Sequence, residues 1–262
     1  MLRAFSTSAT GMTAQQMMVD TIANNLANIN TSGFKRSQIN FNDLLYIKMK
    51  EPGTEIASGI NSPCGLEIGS GVRAESTVKV FTPGELQNTG RPLDVAITGD
   101  GFLQVTLPNG DLRYTRDGSL QINANGELVT STGYILEPSI TIPSDAVSVS
   151  IEKDGGVNVT DPSGTLSVVG ILQLARFQNP SGLSSEGDNL YVETPASGTP
   201  ITGTPGEDAF GTIQNGFLEK SNVQMVTELV NLITAQRAYE TNSRAIRAAD
   251  EMLRKAIAMA RF

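Results

Sequence analysis

Ser150-Ile151-Glu152-Lys153 has the Ser-x-x-Lys spacing in which a lysine can activate a serine nucleophile for acyl transfer. The Ser-Asp-Asn and Lys-Thr-Gly elements that accompany it in such hydrolases are missing, and the tetrapeptide runs from a strand pattern into a turn. Asn123-Ala124-Asn125-Gly126 shares part of a calcium loop. The position that needs a bidentate Glu holds Thr132, so the segment reads as a hairpin turn. Asp94, Asp100 and Asp117 can be drawn as a carboxylate cluster for acid–base work, but Asp100-Gly101 and Asp117-Gly118 are ordinary turn dipeptides. The chain contains no His, which removes His triads, His bases and His metal ligands together. Its single cysteine, Cys64, can build neither a thiolate metal site nor an internal disulfide. No phosphate loop or dinucleotide fingerprint is present. The sequence therefore assigns no catalytic residue, no cofactor site and no metal ligand, and the chain reads as a non-enzyme.

The elements that would carry such residues point elsewhere. With 39% hydrophobic and 18% charged residues, 262 residues suffice for one large domain or two modest ones with a real core. Net charge is −8, and an acidic surface repels phosphate backbones, so nucleic acid is an unsuitable partner. Residues 1–34 are net neutral and residues 215–262 carry +2, which leaves −10 on residues 35–214. Near-neutral ends can pack against copies of themselves while an acidic middle stays solvated. No apolar stretch approaches the length of a membrane span, so direct membrane insertion is not expected. The N-terminal residues lack the continuous apolar region of a Sec-type signal, so export, if it occurs, is expected by another route.

Residues 2–30 read as a helix. Leu2, Phe5, Ala9, Met12, Gln16, Val19, Ala23, Leu26 and Asn30 step by 3 and 4 alternately, the seam of a coiled coil, and Gly33 follows as a stop. Residues 222–258 read as a second helix, with Ser221 and Gln224 as a capping box. Its seam holds Met225, Leu229, Leu232, Gln236, Tyr239, Ser243, Ile246, Asp250, Leu253 and Ile257. Apolar stripes of this kind commonly pack on a protein's own core. Here they occupy both ends of a chain whose middle is β-rich, so intermolecular bundling is expected as well.

Between the helices the period changes to 2. Hairpins are expected at 102–107 with 112–116, at 120–122 with 127–129, and at 147–151 with 157–159, each around an Asn-Gly or Asp-Gly turn. Residues 47–71, punctuated by Gly and Pro, read as an extended arm or long loop, and 195–212 as a surface loop. The fold class is α+β. The N- and C-terminal α-helices pair as a coiled-coil-like inner domain (1–40 and 215–262). An extended β/loop connecting arm spans 41–75, with an insertion at 47–71, and an antiparallel β domain, sandwich or barrel, spans 76–214.

Four stretches carry a resemblance. Residues 22–36, which include Asn24, Asn25, Asn28, Gly33 and Phe34, resemble the N-terminal signature of bacterial flagellar rod and hook proteins. Residues 94–102, with Asp94, Gly99, Gly101 and Phe102, and 114–118, with Asp117 and Gly118, resemble that family's β-domain core. Residues 218–246 resemble its C-terminal helix. Within the family, the arm at 47–71 resembles the insertion of the distal-rod branch, with a proximal rod paralogue of similar length as the nearest alternative.

The resemblance implies a hollow helical homo-polymer with paired terminal helices lining a channel and β domains outside. It implies a rigid shaft in the flagellar basal body, in the periplasmic space, that carries torque from motor to hook. It also implies export by the flagellar type III apparatus. The implied neighbours are proximal rod proteins and the hook protein at the ends, and peptidoglycan-ring and outer-membrane-ring proteins around it; no cofactor is implied. The expected self-assembly residues are Leu2, Phe5, Met12, Val19, Leu26, Met225, Leu229, Leu232, Tyr239, Ile246, Leu253 and Ile257. Two other classes stand beside this reading: a secreted β-domain enzyme that dimerises through its helices, and a binding module with coiled-coil ends.

Overall fold

The computed structural model describes residues 2–53, 55–57, 60–61 and 63–259, with Leu2, 55–57 and 60–61 described by their backbone alone. The portions of the expected arm at Thr54, Ser58, Gly59 and Ser62, the end of the expected C-terminal domain at 260–262, and the seam contribution of the Leu2 side chain lie outside the described residues.

Helix α1 spans Leu2–Ala27 and helix α2 spans Met225–Met259. At about 1.5 Å per residue they are roughly 39 and 52 Å long. Helix α1 ends three residues sooner than its apolar pattern suggests, because residues 28–34 close as turns. The Thr31 N–H donates to the Asn28 carbonyl at 3.2 Å and the Phe34 N–H to the Thr31 carbonyl at 3.3 Å. Gly33 sits at φ 69°, in the left-handed region that glycine adopts without strain. Ser221, the expected capping residue, is buried just ahead of α2. The Ser221 hydroxyl accepts from the Val223 N–H at 3.3 Å, a local turn that precedes the helix.

The chain divides into two compact units. The first comprises α1 to Leu26, Ser37–Val78 and α2. Its helices pack together. A Cβ on Gly11 of α1 would meet Asn242 Nδ2 of α2 at 2.8 Å, so the missing side chain permits the approach. The paired strands Ser37–Asp43 and Val72–Lys79 run beside α1, where the Val72 N–H donates to Thr10 Oγ1 at 3.4 Å. The arm beyond them is built from short ladders, as an extended β/loop arm would be. Ile47–Lys50 pairs antiparallel with Leu66–Ile68, and Glu55–Ala57 with Ile60–Asn61.

The second unit comprises Ala27–Arg36 and Lys79–Gln224. Its largest sheet centres on Phe102–Thr106, which pairs antiparallel with Leu112–Thr115 on one side. On the other side it pairs with Ile135–Glu137 and with Leu174–Arg176. All three expected hairpins form, at Phe102–Thr106 with Leu112–Thr115, Leu120–Ile122 with Leu128–Thr130, and Ser148–Ile151 with Gly156–Thr160. The expected loop at 195–212 is partly strand, since Ile201–Gly203 pairs with Leu174–Arg176 at the edge of the sheet.

Period-2 alternation buries both faces of the central strand. Leu103 and Val105 join an aliphatic core with Ile97, Leu128, Val157 and Leu174. Phe102 joins an aromatic core with Tyr114, Phe177 and Tyr191. The rings in that second core meet edge to face, as in Tyr114–Phe177 at 4.8 Å and 87°.

Candidate functional site

The helical faces of the first unit divide the expected seam. In α1, Phe5, Met12, Val19 and Leu26 are half-buried beside the fully buried Ala14, Ile22 and Asn25. In α2, Leu232, Ile246 and Leu253 are half-buried on the face that carries the buried Glu228, Ala235 and Ala249. Met225, Leu229, Tyr239 and Ile257 are exposed. The exposed members do not stand alone at the start of the helix. Val226, Val230 and Ile233, none of them on the expected seam, are 74%, 57% and 50% exposed and lie beside Met225 and Leu229. At 3.6 residues per turn these five side chains form one patch, nearly opposite the buried Glu228–Ala235 face. The arm is likewise uncovered: Leu45, Tyr46, Met49 and Leu66 are all exposed.

The motif residues have structural duties that the geometry makes plain. Asn25 is buried, and its side chain brackets one residue: Nδ2 donates to the Ser37 carbonyl and Oδ1 accepts from the Ser37 N–H, both at 2.9 Å. This fixes where the chain returns to α1 as a strand. Asn28 Oδ1 accepts from Thr31 Oγ1 at 3.2 Å within the turn, and Asn24 is exposed on α1. Phe34 is buried beneath the Lys79 ammonium, 4.6 Å from its ring centroid. Gly99 and Gly101 sit at φ 110° and 145°, flanking the exposed turn before the central strand. A Cβ on Gly118 would fall only 1.8 Å from the Val95 carbonyl oxygen, so two segments cross there at backbone contact.

The carboxylates first considered as an acid–base set are tied into turns. The Asp94 carboxylate is fully buried, accepts from Thr89 Oγ1 at 2.6 Å and lies 3.6 Å from Arg91 Nε. Asp117 accepts from the Ser119 N–H at 3.1 Å and the Ser119 hydroxyl at 3.0 Å. Burial pushes the Asp117 carboxyl above the ordinary range, Ser119 pulls it back, and Asp94 adds to the rise. Ser150 and Lys153 are exposed at the end of a strand, and Asn123 Oδ1 accepts from the Asn125 and Glu127 N–H groups at 2.9 Å, a hairpin turn.

A buried ion cluster is the feature whose parts the sequence shows without their meeting. Lys35 Nζ donates to Glu219 Oε1 at 2.5 Å and to the Thr82 carbonyl at 2.9 Å. Glu219 Oε1 also accepts from the Gly84 N–H at 2.9 Å, and Oε2 lies 3.6 Å from Arg116 Nη1. The Arg116 guanidinium donates to the Ile97 and Gly99 carbonyls at 3.3 and 2.6 Å, and its centre lies 5.4 Å from the centroid of the Phe102 ring. Burial pulls the Lys35 ammonium and the Arg116 guanidinium below their ordinary values, while Glu219 raises both. The cluster ties together the segments around Lys35, Gly84, Gly99, Arg116 and Glu219.

Sequence comparison fits these placements. Three family profiles match in chain order: "Flagella basal body rod protein" over 5–35, "Flagellar hook protein FlgE/F/G D1 domain" over 96–159, and "Flagellar basal body rod FlgEFG protein C-terminal" over 214–259. The chain is 49% identical over 249 residues to the flagellar basal-body rod protein FlgG of Buchnera aphidicola subsp. Schizaphis graminum, covering 95% of this chain and 96% of that one. The chain belongs to the flagellar basal-body rod protein family. It is 46% identical to the FlgG protein of Borreliella burgdorferi over 97% of both chains. It is 36% identical to that of Bacillus subtilis over the full length of both. Each of the three rod-family matches supplies one member of the ion cluster: Lys35, Arg116 and Glu219. Nothing in the spacing announces this pairing, because Lys35 and Glu219 stand 184 residues apart.

Proposed function

We propose that this chain is a structural subunit of the flagellar distal rod. It self-assembles into a rigid hollow helical shaft that transmits torque from motor to hook and encloses part of the export channel. The observation that supports this best is the apolar patch of Met225, Val226, Leu229, Val230 and Ile233 on a helix whose other face is already occupied within the subunit. Such a patch on a surface helix marks a protein–protein interface. Self-assembly is assigned to Phe5, Met12, Val19 and Leu26 with Met225, Leu229, Leu232, Tyr239, Ile246, Leu253 and Ile257, within terminal segments 1–40 and 215–262. Residues 41–75 form the arm, whose segment 47–71 stiffens the shaft, and residues 76–214 form its outer surface.

In this reading the subunit sits in the basal body after delivery by the flagellar type III export apparatus. Proximal rod and hook proteins cap the polymer, and the peptidoglycan-ring and outer-membrane-ring proteins surround it. Electron microscopy of the concentrated purified protein, with and without a proximal-rod seed, tests the reading. Straight hollow tubes are the expected outcome. Discrete small oligomers under both conditions would count against it.

A further inference from the structure

Lys35, Arg116 and Glu219 lie inside the β unit with side-chain exposures of 1%, 2% and 1%, low enough that no water shell replaces a lost partner. A buried ion pair contributes little net stability compared with apolar packing, yet removal of one partner is strongly destabilising, because the other charge stays buried and uncompensated. The cluster thus adds little to a complete chain and penalises an incomplete one. The carboxylate in contact with both cations comes from the last strand of the unit, while Asp100 acts on Arg116 from further off. Phe217–Glu219 pairs with Leu86–Asn88, and the preceding Thr212–Asn215 pairs with Val95–Thr98. Glu219 also uses its backbone, since its carbonyl accepts from the Gly33 N–H at 2.8 Å. A chain ending before Thr212 would hold two cations at buried positions without their carboxylate, and would leave Val95–Thr98 unpaired.

We propose that Glu219 is a completion latch for the β unit: the sheet becomes stable only when the C-terminal segment brings its carboxylate between Lys35 and Arg116. A chain that emerges amino end first then holds its β unit open until Glu219 has arrived. For a chain emerging from the ribosome this follows from the cluster alone. For a chain threading an export channel it rests on the proposed rod function. The latch keeps the segment between Lys79 and Thr212 from closing into a folded body too wide for a narrow passage.

Amide hydrogen exchange on the full-length protein tests the latch, comparing wild type with Glu219→Gln, which keeps chain length and side-chain shape. The expected result is a matched acceleration, on the order of a hundred- to a thousand-fold, at Gly33, Gly84 and the central-strand amides of Leu103 and Val105 alike. Acceleration confined to Gly33, Gly84 and the 217–219 ladder, with Leu103 and Val105 unchanged, would overturn the proposal and leave a local ion pair. Should Glu219→Gln not fold at all, the added substitution Lys35→Met is expected to restore part of the protection by removing an unpaired cation. A double variant as unprotected as the single one would overturn the charge-coupled latch. Neither result depends on tube formation, so failure of the rod reading and failure of the latch are separable.

Discussion

Asn25 shows how much one side chain settles in this protein. Its amide satisfies both backbone groups of Ser37 at once, on a helix position that is fully buried. Asn25→Ala leaves a donor and an acceptor without those partners and is expected to cost about 2 kcal/mol, read as a lower midpoint in chemical denaturation. Asp117 makes the opposite case. Its carboxyl is raised by burial, so the folded state holds the proton more tightly than the unfolded state does. The stability this contributes is present below the ordinary carboxylate range and is lost as pH rises through the folded value. Asp117→Asn keeps an acceptor for the Ser119 N–H, turns the second contact round so that the amide donates to the Ser119 hydroxyl, and is expected to raise Tm at pH 7, with the gain shrinking as pH falls toward the ordinary range. Thermal melts across that interval would show it. A gain that persists in acid would mean the carboxyl's charge is not the cause.

At the scale of elements, α2 is the informative one. A 35-residue helix buries Glu228, Ala235 and Ala249 and yet exposes Val226, Val230 and Ile233, so one of its faces is covered and another is not. The exposed face makes a clean separation of folding from assembly possible. Ile233→Lys is expected to change monomer stability by no more than about 0.5 kcal/mol, because the position is half exposed. The same change is expected to abolish tubes in micrographs. A variant that melts normally and still forms tubes would remove this face from the interface. The strand pair Ile47–Lys50 and Leu66–Ile68 poses a related problem, because every residue in it is exposed and an isolated two-stranded ladder is marginal in water.

At the scale of the whole molecule, the arm is the part that can be removed with least damage to the rest. The Leu44 N–H donates to the Gly71 carbonyl at 2.9 Å, a bond the deletion removes but one that shows the chain leaving and re-entering the arm side by side. Deleting residues 47–71 is therefore expected to leave both compact units folded and to yield a more flexible, curved polymer. Persistence length from micrographs measures this directly, and a deletion variant as straight as the parent would remove the arm from the stiffening role.

The sequence by itself determined the local features. Seven-residue apolar stepping marks both helices, because their packing faces repeat at the helical period. Asn-Gly and Asp-Gly turns mark all three hairpins, because only certain residues tolerate the positive φ those turns require. The family was legible for the same reason, since its motifs are contiguous strings such as 22–36 and 94–102. Tertiary structure alone decided what depends on distant partners. It ended α1 at Ala27 through a turn that buries Phe34, made strand of Ile201–Gly203 by pairing it with Leu174–Arg176, and divided α2 into covered and uncovered faces. It also brought Lys35, Arg116 and Glu219 together. A charge in a linear sequence looks the same whether solvent or protein will surround it. Only the burial of all three, with one carboxylate between two cations, turns scattered residues into a single cluster.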